Sequence, residues 1–483
     1  MKYAPENSHD QASLSVWLAV AYVLTPVILF LLQWITLPLG LIAASLLIWS
    51  VATPLQRARN GALDTSKLLF VFTALLISAI WVLLSGISGS FYANAYDWII
   101  RFALARDLAV MATPVTYWFE GQTYLLRAAL GYFLVPSELA HLFGPALLQS
   151  ILFAWTLAGV ALFFILAFGS LSIRLAVTSC AMFIFCSGLD YYGILLFSSQ
   201  PPAMGSHLEW WAGNLQYSSN TTLLFWVPNH AVAAWIATAL LYRFGTQLWF
   251  KQITPALAVA LLLWSPLSGA GFMLLWLVTV LPLPVKAILP MWRQMALALP
   301  AMAIVLLYLT EGMGSISAEG PMARASSLNF IARVTLFDAV EFLVFLPFIV
   351  MTGNMKRAFP AIFCLAVLPF FSFGPSNDLV LRASIPALTY YWLVLIAAAN
   401  QNSVKLKLHT RVAVFLLPFS IGAMNPFFEV SRALMSTAWS ADLSQNLPAA
   451  FIQQGATNPF PPHYFTLLND GALRSILKKA ESE

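Results

Sequence analysis

Charged residues are sparse in this chain, and those that could do chemistry gather in three short stretches. The first is ANAYDWIIRFALARDL, residues 93–108. On a helix, Asp97 and Arg101 stand one turn apart and pair, with the Leu104–Leu108 turn on the same face, while Arg106 and Asp107 lie round the cylinder. A positioned carboxylate can take a proton from a hydroxyl, and the guanidinium fork matches a phosphate. Asp97 also follows a small-residue turn, Ser85 to Ser90, that contains Gly86 and Gly89. Thr113-Pro114 ends the helix, because proline lacks a donor and restricts the residue before it. An interfacial amphipathic helix with solvated charges fits the same residues equally well.

The second stretch runs from SGLDYYG (187–193) through HLEWWAGNLQYSSNTT (207–222) to VPNH (227–230). It collects Asp190, His207, Glu209, Trp210, Trp211, Asn214, Gln216, Tyr217 and Asn220. His207 and Glu209, two residues apart, suit a shared proton or a metal, but no third ligand is visible and no metal site is assigned. Trp210 and Trp211 are more often interface anchors than sugar platforms. Asn220-Thr221-Thr222 matches a glycosylation sequon, a pattern common by chance. The third stretch is GPSNDLVLRASIP (374–386), where Asp378 and Arg382 stand one helical turn apart. Arg324 and Arg333 add two cations, and Asp338 and Glu341 belong either to ion pairs or to a proton path. Together these form the candidate binding set: Arg101, Arg106, Asp190, His207, Glu209, Trp210, Trp211, Gln216, Asn220, Arg324, Arg333, Asp378 and Arg382.

Long apolar elements must hold these residues. The 483 residues are 60% hydrophobic and 9% charged, too little charge to cover a water-soluble fold and too apolar for disorder. The composition indicates an all-α polytopic membrane protein. Apolar runs near the ~20 residues needed for a crossing lie around 15–34, 35–52, 67–88, 145–168, 174–190, 221–242, 267–285, 294–310, 334–352, 358–373, 384–400 and 410–426. A shorter run at 253–266 ends at Ser265-Pro266 and forms a hairpin with the next. The reading is about thirteen transmembrane helices with a long first extracytoplasmic loop carrying interfacial helices. The first run is too long for a signal-peptide core and is expected to stay as a span. Cys180, Cys186 and Cys364 sit in apolar runs and read as small buried hydrophobes. The divisions are an N-terminal hairpin (1–66), a transmembrane core (67–426) with outer loops near 89–144, 190–220, 311–333 and 374–384, and a tail (427–483) that could pack as a lid.

Basic residues orient the spans. With the N-terminus inside, the inner connections hold Lys2, Arg57, Arg59, Lys67, Arg174, Arg243, Lys251, Lys286, Arg293, Lys356, Arg357, Lys405, Lys407 and Arg411, fourteen of the 24 Lys and Arg. Of the 19 acidic residues only Glu6, Asp10 and Asp64 fall inside. Residues 122–136 would flip the later spans if they crossed, so they are expected to form a helix at the outer surface or re-entering it. All three polar stretches then share the outer face, beside apolar grooves. That arrangement suits a substrate with a charged head and a lipid tail, and a net charge of +5 gives no reason to expect nucleic acid.

The long first outer loop opening on an Asp, the arginine-bearing rim and the span count resemble the GT-C superfamily of integral-membrane glycosyltransferases. The wording of ANAYDWIIRFALARDL, SGLDYYG, HLEWW, QYSSNTTLLFWVPNH and NDLVLRASIPA resembles a bacterial membrane-protein group placed near it, over about residues 67–400. The resemblance implies a polyprenyl-phosphate sugar donor, used on the extracytoplasmic side of the bacterial inner membrane, usually with inversion. It implies Asp97 as general base, with Asp107 as second choice, and Arg382, Arg324 or Arg333 on the leaving phosphate. Some members of the superfamily use a divalent cation (Mg or Mn) and others do not. The acceptor, whether glycan, lipid or protein, is not legible. A transporter or flippase of a lipid-linked or amphiphilic substrate is the main rival, kept alive by Asp338 and Glu341, and an envelope scaffold is the third reading.

Overall fold

The structure, a computed structural model, describes residues 13–58, 68–93, 95–198, 200–281, 289–312, 328–374, 377–401 and 406–479. Arg324, together with Lys2, Arg59, Lys67, Lys286, Lys405, Glu6, Asp10 and Asp64, lies outside the described residues. Apolar runs become helices because a chain out of water must satisfy its own backbone. The order is α1 (Leu14–Trp34), α2 (Leu37–Arg57), α3 (Leu68–Leu84), α4 (Ala95–Val110), β1 (Thr116–Phe119), β2 (Gln122–Leu126), α5 (Gly131–Phe143), α6 (Leu148–Phe168), α7 (Ile173–Phe185) and α8 (Asp190–Phe197). There follow α9 (Asn220–Trp226), α10 (Pro228–Phe244), α11 (Leu248–Trp264), α12 (Pro266–Val280), α13 (Trp292–Thr310), α14 (Leu328–Glu341), α15 (Leu346–Met351), α16 (Met355–Val367) and α17 (Asp378–Ala399). The chain closes with α18 (Leu408–Arg411), α19 (Leu417–Gly422), α20 (Met424–Met435), α21 (Leu447–Gln453), β3 (Phe465–Leu467) and α22 (Ala472–Ile476).

The fold is that of a mostly helical polytopic membrane protein. Among the described residues seven helices are long and apolar enough to cross a membrane, or eight if α14 and α15, bent by 54°, make one span. Each of the thirteen expected runs contains helix, but α3, α11 and α12 are shorter, at 17, 17 and 15 residues. Others break: Val227-Pro228 divides the 221–242 run, and Ser265-Pro266 divides α11 from α12. On α3, Leu68, Phe72, Leu76 and Ile80, one turn apart, are exposed while Ala74, Ser78 and Trp81 are buried. Such an apolar stripe suits hydrocarbon and not water. The central helix is α17, with 83% of its apolar window buried among α10, α12 and α16. Cys180, Cys186 and Cys364 are buried and unpaired, as their surroundings implied.

The first loop departs from its expected form. Residues 122–136 are not one helix: β1 and β2 make an antiparallel hairpin, and α5 begins at Gly131. The turn is Glu120-Gly121, both at positive φ (49° and 78°), the two-residue geometry that matches strand twist. Flanking Thr, Tyr, Trp and Phe favour strand over helix. The C-terminal tail supplies the third strand, with Tyr124, Leu125 and Leu126 opposite Leu467, Thr466 and Phe465. Further along, Ile35 bridges Leu477 and Lys478 Nζ donates to the Leu32 carbonyl. The tail is therefore built into the end of the molecule that carries the first loop and the α1–α2 turn.

Asp107 fastens this cap. It is fully buried, and its carboxylate accepts from Arg106 Nη1 (2.8 Å), the Tyr117 hydroxyl (2.6 Å) and the Leu447 backbone N–H (2.8 Å). Asp107→Ala leaves the last two donors buried without a partner, a loss of about 2–4 kcal/mol. The expected outcome is a lower melting temperature in detergent and early proteolytic cleavage of the tail, read by thermal denaturation and limited proteolysis.

Candidate functional site

Two ion pairs, from opposite ends of the expected core, both exert their fields on Tyr464 of the cap. At the start of α4, Arg101 Nη2 lies 3.1 Å from Asp97 Oδ1; at the start of α17, Arg382 Nη2 lies 3.0 Å from Asp378 Oδ1. Both pairs are the one-turn partners expected from spacing. Asn377, at φ 54°, turns the chain into α17 and so fixes where Asp378 begins. The fields of Arg101 and Arg382 both reach the buried His230 imidazole. Those of Asp97, Arg101, Asp378 and Arg382 all reach Tyr464 of the tail, whose phenol burial pushes up and the arginines pull back. His463 beside it is held below its ordinary value by burial first, with Asp378 opposing and Arg382 and Arg127 adding to the shift.

A polar line connects the two sides. Asn229 Nδ2 lies 3.2 Å from His230 Nε2, and His230 Nδ1 lies 2.8 Å from Ser265 Oγ. Ser265 Oγ donates to Ser268 Oγ (2.9 Å), which donates to the Arg382 carbonyl (3.1 Å). Yet Arg101 Nη1, Arg382 Nε and Asn229 Oδ1 are buried with no hydrogen-bond partner among the described residues. Buried donors are normally paired, so two orphaned guanidinium nitrogens in one region invite an anion. The Asp97 side chain is 29% exposed and within reach of an incoming group.

The second stretch forms a separate network centred on Asn425 of α20. Asn425 Nδ2 lies 3.1 Å from Ser187 Oγ, 3.0 Å from Asp190 Oδ2 and 2.8 Å from Glu209 Oε1. Glu209 also accepts from Gln216 Nε2 (2.7 Å) and the Ser219 N–H (2.9 Å). The Trp211 indole donates to Glu341 Oε1 (2.9 Å), and His207 Nδ1 lies 3.0 Å from Glu429 Oε1. Glu429 takes the Trp226 indole (2.8 Å) and pairs with Arg432. Asp190, Glu209, Glu341 and Glu429 are all buried, so these acids hold helices and loop together and do not face a solvent-filled cleft. Asp190 Oδ1 and Glu341 Oε2 are buried without a partner among the described residues.

Other expected site residues fall elsewhere. Asp107, the second-choice base, has both oxygens accepting hydrogen bonds within the cap; Arg106 also donates to the Leu443 carbonyl (3.0 Å). Asn220 Nδ2 is spent on the Phe183 carbonyl (2.8 Å), and Arg333 on Ala212 and Asn214. Trp210 is 61% exposed, as an interface anchor would be. Among the described residues no three His, Cys, Asp or Glu side chains are grouped to hold a metal ion. Sequence reasoning missed His463, Tyr464, Asn425, Glu429 and Arg432, which lie in runs without a recognisable spacing; His230 stood in the quoted VPNH but went unchosen. No protein-family model, curated protein or solved structure matches the chain.

His207 gives a pH test. Burial holds its imidazole below the ordinary 6.5, against the pull of Glu209, Asp190 and Asp97, with Arg432 adding to the shift. The unfolded chain therefore binds the proton more readily, and stability is lost as pH falls through 6.5. Glu429 on α20 also faces the ring. Melting in detergent between pH 7.5 and 5.5 is expected to fall more for wild type than for His207→Gln.

Proposed function

We propose that the protein is a GT-C-like glycosyltransferase that moves a sugar from a polyprenyl-phosphate donor to an acceptor hydroxyl on the extracytoplasmic face of a bacterial inner membrane. The proposal carries the topology of about thirteen crossings, with short and broken helices counted as spans and the N-terminus inside. The observation that supports it most is that Arg101 and Arg382, each with an orphaned buried nitrogen, both act on His230, with Asp97, 29% exposed, paired to Arg101.

The step follows from these groups. The acceptor oxygen attacks the anomeric carbon as the bond from that carbon to the phosphate oxygen breaks. The acceptor proton passes to the Asp97 carboxylate, and the electron pair leaves on the polyprenyl phosphate, which Arg101 and Arg382 stabilise. Donor phosphate competes for Arg101, which now holds Asp97, so donor binding hands the carboxylate to the acceptor. The carrier tail stays between helices in hydrocarbon.

Mass spectrometry of envelope glycans in cells carrying wild type, a deletion, Asp97→Ala or Arg382→Ala tests this, with membrane levels matched. Loss of one sugar in the deletion, and a drop of about 100-fold or more in either variant, is expected. A glycan profile untouched by the deletion would overturn the reading.

One observation favours a flippase instead: the buried carboxylates Asp190 and Glu341, with their unpartnered oxygens, have the form of a proton-carrying pair. That reading expects Glu341→Gln to abolish function and Asp97→Ala to spare it.

A further inference from the structure

At the opposite end of the molecule from Asp97, the last turn of α2 and the first turn of α13 enclose a half-open cavity of about 270 Å³. Arg57 closes a helix whose first residues adjoin the tail, so 21 residues at about 1.5 Å each put it about 30 Å from the cap. Arg57 and Arg293 line the cavity with Thr53, Gln294 and the rings of Trp49 and Trp292. No acidic side chain is among its described lining residues. Neither arginine forms an ion pair with a described residue.

Gln294 is the decisive feature. It is 93% buried by its 7% residual exposure, it lines this cavity, and its Oε1 has no hydrogen-bond partner among the described residues. A buried amide oxygen at the edge of lipid costs stability unless something donates to it. The two guanidinium groups supply the complementary demand, for a phosphate. Trp49 and Trp292, 59% and 62% exposed, are the amphipathic rings that settle at headgroup depth. A ligand that meets all three demands has a phosphate monoanion, a hydroxyl donor next to it, and acyl chains lying along the helices. A zwitterionic headgroup fits worse, because its ammonium finds no carboxylate here.

We propose that this cavity binds the headgroup of an anionic glycerophospholipid, phosphatidylglycerol being the type, in the leaflet opposite the Asp97 site. Arg57 and Arg293 hold the phosphate, Gln294 Oε1 accepts from the glycerol hydroxyl, and the bound lipid ties α2 to α13. The proposal does not rest on the transferase reading, since it concerns the other end of the fold.

The full-length protein in nanodiscs of phosphatidylcholine, with phosphatidylglycerol or phosphatidic acid added at equal charge, tests it by thermal melting. Native mass spectrometry of the retained lipid provides the second readout. Phosphatidylglycerol is expected to raise the melting temperature and to remain bound. Arg57→Ala with Arg293→Ala should abolish both effects while leaving the melting temperature in pure phosphatidylcholine unchanged. Gln294→Met, close in volume, should remove the preference for phosphatidylglycerol over phosphatidic acid and spare general anion binding. Equal lipid retention by wild type and the double variant overturns the site. If soluble glycerol 3-phosphate reproduces the full shift, the ligand is a free phosphate and the lipid assignment falls.

Discussion

Many charged side chains among the described residues are buried between packed helices, where leaving one unpaired is costly. The architecture follows from meeting that demand. Asp97 and Arg101 face each other, Asp378 and Arg382 do the same, and Asp107 is ringed by three donors. Asn425, one side chain on α20, reaches Ser187, Asp190 and Glu209 at once. Such networks demand satisfaction at every member, and in return they hold elements in one arrangement. Against that background the orphaned polar atoms of Arg101, Arg382 and Asn229 belong to the candidate site, while others, such as Asp190 Oδ1, Glu341 Oε2 and Gln294 Oε1, lie elsewhere.

The cap explains how distant segments come together. Its hairpin is short and would be marginal alone, but β3 from the tail and the Asp107 contacts anchor it. Arg127 adds bonds from the hairpin's far end to the Leu309 carbonyl on α13 (2.8 Å) and to Pro462 in the tail. The tail then delivers His463 and Tyr464 to the place where α4 and α17 present their arginines. A tail held this way forms part of the candidate site's wall.

Two regions of polar chemistry emerge with different characters. The region around Asp97 keeps exposed carboxylate and orphaned cations, the properties of a place that receives a ligand. The region around Glu209 and Asn425 is closed, with its indole, amide and hydroxyl donors already committed. Asp97 stands between them, near enough for its charge to act on His207.

Much was determined by sequence alone, because local spacing and hydropathy carry it. The helical membrane architecture, the helix break at Ser265-Pro266 and the two one-turn ion pairs depend on residues a few positions apart. The hairpin at 116–126 was legible too, in its aromatic strands and Glu-Gly turn, but hydropathy masked it. Tertiary structure alone decided that Asp107 fastens the cap, that Glu209 belongs to a closed network, and that Arg101 and Arg382 both act on His230 and Tyr464. Those outcomes depend on partners 216 to 340 positions away, such as Glu209 with Asn425 and Asp107 with Leu447. A side chain's type and spacing state what it can bond to; only the folded chain states which of those bonds are already made.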